Sequence, residues 1–386
     1  MKTVVVGGGI VGMASAYYLA ERGVEVVVCE KSTVGAGSTE RSAGGIRTQF
    51  STPVNVELSK ASIEVWESFE AEFGVDVEYR RPGYLFLARE AVTAEQFEAN
   101  VAMQNDLGVD SEFLDPVAAR EHCPGLDPSQ FVGATYCATD GFADPHLALE
   151  GFKRAAVDAG VDLRTGTTVT DVLVDDAEGE PSVTGVETDA GPVEADYVVN
   201  AAGPWARRVS RMAGVDLPIA PKRRQIAVVN PSNPVPEDVP LTIDLDTGSY
   251  FRPEPHGAAL VGGHFGGPDP DRDPDGFRQA MDVDWAADAV ERAGEWTTYF
   301  GLDSRIRNGW AGLYAVTPDH HPVVEETIPG LIAAAGFSGH GFQHAPATGQ
   351  VVAELAVDGT ASLVDVSPLS SERFESGDLA DEANVA

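Results

Sequence analysis

The first residues of the chain equipped for chemistry are glycines. Gly7-Gly8-Gly9-Ile10-Val11-Gly12 follows a β-branched run, Thr3 to Val6, and opens into an alanine-rich stretch that stops at Gly23. Gly7 permits a tight turn, Gly9 lets main chain approach a pyrophosphate at a helix N-terminus, and Gly12 allows helix and strand to pack closely. A second apolar run, Val24 to Cys29, finishes in Glu30, about 20 residues on from the turn, where a carboxylate accepts hydrogen bonds from a ribose. Strand, glycine turn, helix, strand and acid together specify a dinucleotide site. NAD and FAD both satisfy it, while the acid at position 30 argues against a cofactor bearing a 2′-phosphate.

Two further segments have the texture of ligand-facing main chain. Gly35 to Arg47 is glycine-rich and precedes a helix-like segment, Val54 to Phe73. Downstream, the apolar run Leu331 to Ala335 passes through Gly336-Phe337-Ser338-Gly339-His340-Gly341-Phe342-Gln343 into a helix from about Gln343 to Val357. That helix starts at the ligand side, where unpaired N–H groups stabilise negative charge. His320-His321 lacks a third ligand at metal spacing and reads as a turn, so no metal is expected. Cys29, Cys123 and Cys137 are too few and too scattered for a disulfide framework or a CxxC site, as in a reducing cytoplasm.

These motifs sit in a 386-residue chain with 61 acidic and 26 basic side chains, a formal charge of −35. Such a surface repels phosphate backbones and anionic headgroups, so neither nucleic acid nor stable membrane insertion is expected. The apolar stretch 4–20 imitates a leader, but its glycines mark it as the motif's own strand and helix, and a cytoplasmic location is expected. Only five bases are lysines (Lys2, Lys31, Lys60, Lys153, Lys222), and the acids are spread along 105–115, 171–189, 265–286 and 372–382. Acid enrichment with lysine depletion resembles proteins of salt-loving cells, where dense ions screen the carboxylates. Length predicts two or three domains of about 150 residues. Among their elements is a helix opened by the capping box Thr93-x-x-Gln96 and ended at Gly108.

The run KSTVGAGSTERSAGGIRTQF, Lys31 to Phe50, resembles the flavin-contacting loop of the FAD-dependent amine oxidoreductases of the D-amino-acid oxidase superfamily, most of all the sarcosine oxidase and proline dehydrogenase β-subunit branch. Further matches are Asp140 to Pro145, Thr167 to Val172, Tyr197 to Trp205, Gly309 to Asp319 and Gly336 to Gln343, so that the resemblance covers about residues 1–375. It implies an α/β fold: a Rossmann-like FAD-binding domain of the glutathione-reductase type, discontinuous over 1–79, 143–218 and 306–375. A second α+β substrate domain, built on a mixed and largely antiparallel sheet, would comprise 80–142 and 219–305. Residues 376–386 fall outside and are expected to form a disordered acidic tail.

Carried over residue by residue, the resemblance implies FAD contacts at Gly7, Gly9, Ile10, Val11, Gly12, Glu30, Lys31, Gly37, Ser38, Thr39, Arg41, Gly44, Gly45, Val169, Ala201, Gly203, Trp205, Gly312, Gly339, His340, Gly341, Phe342 and Gln343. It implies oxidation of the C–N bond of a small secondary or N-methyl amino acid, such as sarcosine, dimethylglycine or proline, by hydride transfer to flavin N5, giving an imine that water hydrolyses. In so acidic a chain a substrate carboxylate needs a local cation, and Arg47 aligns with an arginine of that role. Tyr250 and Tyr314 align with tyrosines of the substrate cavity, and His340 and Gln343 fall beside the flavin ring.

Departures from relatives refine this. Gly312 stands where monomeric sarcosine oxidase tethers its flavin through cysteine, which implies noncovalent FAD, and Gln343 replaces a substrate-binding lysine. Tyr314 stands where glycine oxidase and D-amino-acid oxidase carry an arginine, and an apolar residue near Leu260 replaces an oxygen-activating lysine. A dehydrogenase passing electrons to a protein or quinone is therefore expected ahead of an oxidase. A flavoprotein subunit or assembly factor without turnover, and a glycine or D-amino-acid oxidase, are the alternatives. A homo- or hetero-oligomer is left open.

Overall fold

The computed structural model describes residues 1–175, 181–377 and 379–385. The β-branched runs of the N-terminal motif become neighbouring parallel strands, Lys2–Val6 and Glu25–Glu30, in register from Lys2 against Glu25 to Val6 against Cys29. On its other side Lys2–Val6 pairs with Tyr197–Asn200. Among the described residues, Leu331–Ala335, Val323–Ile328 and Asp162–Thr165 complete a six-stranded sheet. Its Val323–Ile328 edge runs antiparallel to Leu331–Ala335, while the sheet's other pairings are parallel. The physical reason is local: the connection between them is a tight turn at Gly330, φ 85°, too short for the helical crossover that parallel pairing requires.

Helices Ile10–Glu21 and Gly341–Asp358 cover this sheet together. Their approach depends on Gly349, where a Cβ would lie 2.8 Å from the carbonyl carbon of Ala14. Trp66, on the helix Pro53–Phe73, stacks on Phe342 with ring centroids 5.1 Å apart and donates its indole N–H to the Gln343 carbonyl at 2.9 Å. The start of the last long helix is therefore fixed by buried aromatic packing as well as by its own turn.

The described residues also form an eight-stranded sheet, in the order Arg305–Val316, Ala220–Asn230, Ala259–Gly263, Ser249–Pro253, Leu241–Asp244, Tyr84–Ala88, Gly133–Cys137 and Ser111–Leu114. Its pairings are antiparallel except for Leu241–Asp244 against Tyr84–Ala88. Leu85, Leu87, Ala227, Val229, Phe251 and Val261 pack on one face against Trp296 of the helix Val283–Trp296. Alternation along each strand then sends Tyr84, Ile226 and Tyr250 to the opposite face, which is the face that meets the site.

Two expectations are corrected. The helix expected to open at the Thr93 capping box spans Ala91–Asp106 with Glu90 as its N-cap. Asp246, from a distant segment, accepts the N–H groups of Arg89 and Glu90 and the Thr93 hydroxyl, so the capping acid comes from outside the helix. The expected disordered tail instead returns to the protein at Leu379–Val385, with Glu382 1 % and Asn384 2 % exposed. Glu382 accepts from the Ser51 N–H and hydroxyl, the Thr52 hydroxyl and the Asn55 amide, bonds that offset the cost of burying a carboxylate. Asp378 and Ala386 of that tail, and 176–180 within the expected acidic stretch 171–189, lie outside the described residues. Among the described residues no helix is long and apolar enough to cross a membrane.

Candidate functional site

A cavity of about 1030 Å³ runs from the N-terminal glycine turn to the inner face of the eight-stranded sheet. It lies at the upper end of the volumes of about 300–1,000 Å³ usual for small-molecule and cofactor sites. Of the residues expected to touch cofactor or substrate, all line it except Gly12 and Gly44. Gly12 acts one step back, because a Cβ there would fall on the Gly7 carbonyl oxygen, and a Cβ at Gly44 would fall on that of Ala143.

One end is built from main chain. Gly7 has φ 110°, and a Cβ there would also lie 2.6 Å from the Ala201 carbonyl oxygen, so only glycine closes the turn. Glu30 accepts the N–H groups of Gly8 and Ser32, both at 2.8 Å, which holds its carboxylate at the cavity edge. Gly9, Ile10 and Val11 present the N-terminus of a helix whose Gly9 cap offers no side-chain acceptor, so its positive end faces the cavity. The Ile10 N–H reaches the Thr39 hydroxyl at 3.1 Å and ties this turn to the second glycine-rich loop. That loop is braced by Arg41, which donates to the carbonyls of Ala36 and Gly37 at 2.5 and 2.7 Å. Asp275, reaching over from beyond the Ala259–Gly263 strand, binds Lys31, the Trp205 indole N–H and Arg208. The Lys31 hydrogen bond is the main cause that holds the Asp275 carboxyl down at about 2.

The other end is built from side chains. Arg47 is 7 % exposed, its guanidinium 3.8 Å above the Phe50 ring and bonded to the carbonyls of Gln49 and Asn384. Its main-chain N–H donates to Gln343 Oε1 at 2.7 Å. Burial pushes its pKa down, and Glu382 is foremost among the groups that oppose this. Tyr84 and Tyr314 stand near it and Tyr250 near both, Leu241 and Ile243 pack with Tyr84 and Tyr250, and all of these line the cavity together with Ile226. Burial raises all three tyrosine pKa values, so their hydroxyls stay protonated.

His340 has a definite state. Its Nε2 lies 3.0 Å from the His320 carbonyl oxygen, which can only accept, so Nε2 carries the proton. Nδ1 then accepts from His344 Nδ1 at 3.2 Å, and His344 Nε2 accepts from the Ser59 hydroxyl at 2.8 Å. Burial lowers the pKa of both imidazoles, so the pair is neutral and both nitrogens of each are committed within the protein. His321 bonds Asn55 and the Ala380 carbonyl and is not part of the cavity wall. Leu260 is buried in its strand and also lies outside the wall.

Several lining residues had no role in the sequence reading: Tyr84, Arg224, Ile226, and from the C-terminal segment Asn384 and Val385. In the sequence Arg224 is one of three consecutive basic residues, Lys222, Arg223 and Arg224. Strand alternation, with Arg224 opposite Gly312 and Ile226 opposite Trp310, is the signal that would have placed it. Its guanidinium is bidentate to Asp269, at 3.0 Å in each bond, and 5.6 Å from the Tyr314 ring.

A family model described as FAD dependent oxidoreductase, DAO, matches residues 2–355. The chain belongs to the FAD dependent oxidoreductase family. FAD is the cofactor of this DAO-family chain, and the residues present fit it: a turn at Gly7 that only glycine closes, a helix N-terminus whose Gly9 cap offers no side chain, and a fixed Glu30 carboxylate together line one end of the cavity. Among its relatives, FAD-dependent oxidoreductase domain-containing protein 1 of Xenopus laevis is 32 % identical over 435 residues, covering 99 % of this chain and 84 % of that protein. Sarcosine oxidase subunit beta of an Arthrobacter species is 29 % identical over 391 residues, covering 99 % and 93 %. The crystal structure of L-proline dehydrogenase from P. horikoshii superposes with TM-score 0.87 at 34 % identity, covering 98 % of this chain and 99 % of that one. The DAO-family fold of this chain, mixed α/β with a nucleotide sheet and a second, mostly antiparallel sheet, is thus the fold of solved flavoenzymes.

Proposed function

We propose that this chain oxidises the C–N bond of a small secondary or N-methyl amino acid, such as sarcosine, dimethylglycine or proline. The observation that carries the reading is the enclosed cation Arg47 standing among Tyr84, Tyr250 and Tyr314 at one end of the cofactor cavity. Bound FAD supplies the hydride acceptor. Arg47 binds the carboxylate through the N–H groups not used by Gln49 and Asn384. The protonated tyrosine hydroxyls donate hydrogen bonds, and their rings with Ile226, Leu241 and Ile243 confine the alkyl part and exclude water. Among the described residues lining this end, none is placed to take a proton: the tyrosines are protonated, and both His340 nitrogens are occupied. The amine therefore enters in its neutral form, its proton left to bulk water before it is enclosed, and Arg47 nearby disfavours the ammonium.

The names of two relatives, sarcosine oxidase subunit beta and L-proline dehydrogenase, support this substrate class. The word subunit in the first supports an oligomer with partner chains. A dehydrogenase that passes electrons to a carrier protein or quinone is favoured over an oxidase, though Leu260 carries no weight here because it lies outside the wall. The support comes instead from lysine: Lys31, the lining lysine among the described residues, lies at the nucleotide end, bonded to Asp275. Gly312 at the cavity offers no thiol, which supports noncovalent FAD, and three buried free cysteines support a reducing compartment such as the cytoplasm. We assign 1–79, 143–218 and 306–375 to an FAD-binding domain and 80–142 and 219–305 to a substrate domain.

Anaerobic mixing with sarcosine, dimethylglycine, proline and glycine tests the reading. Bleaching of the oxidised flavin absorbance by an N-alkyl amino acid or proline is expected, and a flavin that stays oxidised with all of them would remove it.

A further inference from the structure

We propose that the C-terminal segment Leu379–Val385 is part of the substrate site, where it aims Arg47 at the carboxylate and closes the cavity behind it. The inference rests on the reading of Arg47 given above and extends it to a segment with no nucleotide-binding motif.

The segment is held by residues from two distant parts of the chain, around Ser51 to Asn55 and around Asp319 to His321. The Glu382 N–H donates to the Asp319 carbonyl at 3.0 Å, and the Ala380 carbonyl meets His321 Nε2 at 2.8 Å. Glu382 then takes four donors from Ser51, Thr52 and Asn55, at 2.7 to 3.0 Å, at the start of the helix that follows the Arg47 loop. The Ala383 N–H donates back to the Ser51 hydroxyl at 2.8 Å. With the chain pinned at these points, the Asn384 carbonyl accepts from Arg47 Nη2, and the Asn384 side-chain amide bonds the same Gln49 carbonyl that accepts from Arg47 Nη1. Asn384 and Val385 form part of the cavity wall.

The two carbonyls hold the guanidinium by both Nη atoms. A guanidinium has five N–H groups in one plane, so fixing both Nη atoms while Phe50 fixes the plane leaves the remaining donors in fixed directions. A carboxylate needs that planar presentation for a two-bond contact. Glu382 supplies the negative charge that lets a cation stay enclosed there, and it does so through Arg47 without facing the substrate itself. It is a positioning residue, and Asn384 and Val385 are the wall.

The test uses the FAD-loaded protein, a variant ending at residue 378, and Glu382→Gln. Two readouts separate aiming from general structure: binding of acetate, followed by perturbation of the flavin spectrum, and the preference for sarcosine over dimethylamine, which lacks the carboxylate. Misplacement of a binding group by about 1 Å costs on the order of a hundredfold. The shortened chain is therefore expected to retain FAD while its acetate affinity and its sarcosine preference fall about ten- to a hundredfold, with a smaller fall of both in Glu382→Gln. Unchanged acetate affinity in Glu382→Gln, or tighter acetate binding once the segment is removed, would overturn the proposal, the latter because the segment would then occupy the ligand's place. Equal loss of sarcosine and dimethylamine turnover would also overturn it. If no amine reduces the intact protein, the substrate reading fails, and the acetate comparison still decides this one.

Discussion

At the nucleotide end the cavity wall is main chain: the Gly7 turn, the bare N-terminus of Ile10–Glu21 and the loop around Gly37. At the substrate end it is side chain: Arg47, Tyr84, Tyr250 and Tyr314, delivered by a loop and three strands. The first end recognises the cofactor for which the family is described, so it tolerates little change. The second can be altered one side chain at a time with the cofactor in place. That contrast predicts that substitutions at the two ends fail differently, one by losing FAD and the other by losing substrate.

The largest effect is expected at Gly12. Alanine there would place its Cβ on the Gly7 carbonyl oxygen, a main-chain atom with nowhere to move. Gly12→Ala should lose about 3 kcal/mol or more of stability and be isolated without flavin absorbance; full FAD occupancy would break the contrast. Next is Arg47→Ala, which should keep its flavin yet lose about 2–5 kcal/mol in kcat/KM, since the substrate carboxylate would lose its charged hydrogen-bonding partner. Arg47→Lys should recover little, because an ammonium lacks the planar fork. Flavin loss in either variant would blur the two ends into one unit.

Asp140 gives a pH test of the scaffold behind the substrate end. Its buried carboxyl accepts from the Thr48 N–H and hydroxyl and from Gln49, yet burial outweighs these bonds and pushes it up to about 6 from an ordinary 3.8. The folded chain thus binds this proton more tightly than the unfolded one. The group favours folding below about pH 4, and that contribution is lost as pH rises to about 6, by about 3 kcal/mol in all. Melting of Asp140→Asn against the parent across this range should show the variant gaining relative stability by that amount, whereas a flat difference would place the proton elsewhere. The smallest effect is expected at Glu30, where alanine removes two hydrogen bonds to main chain and should weaken FAD binding about tenfold, read by titration of the apoprotein.

The same contrast explains what could be read from the sequence. Gly7, Gly9, Gly12 and Glu30 announce themselves because main-chain geometry depends on spacing along one short segment, and spacing is what a sequence displays. Tyr250 and Tyr314 came only through resemblance to a family. Tyr84 and Arg224 came through neither, since they reach the cavity by strand register: Leu241 lies against Tyr84, and Gly312 against Arg224. The C-terminal segment misled most. Its composition is that of a solvated tail, and nothing local shows that Ser51, Thr52 and Asn55, some 330 positions away, will satisfy Glu382.

Asp275 carries a consequence for time instead of affinity. Its carboxylate joins Lys31, Trp205 and Arg208 across the outer side of the nucleotide end, with Phe277 and Gln279 of the same loop also lining the cavity. A ligand beneath such a strap leaves only when the strap opens, so cofactor exchange is gated by the lifetime of contacts of which two are ion pairs, partly exposed and sensitive to salt. Raising ionic strength should therefore quicken FAD exchange more than it weakens FAD binding, with the clasp acting as a clock on the holoprotein.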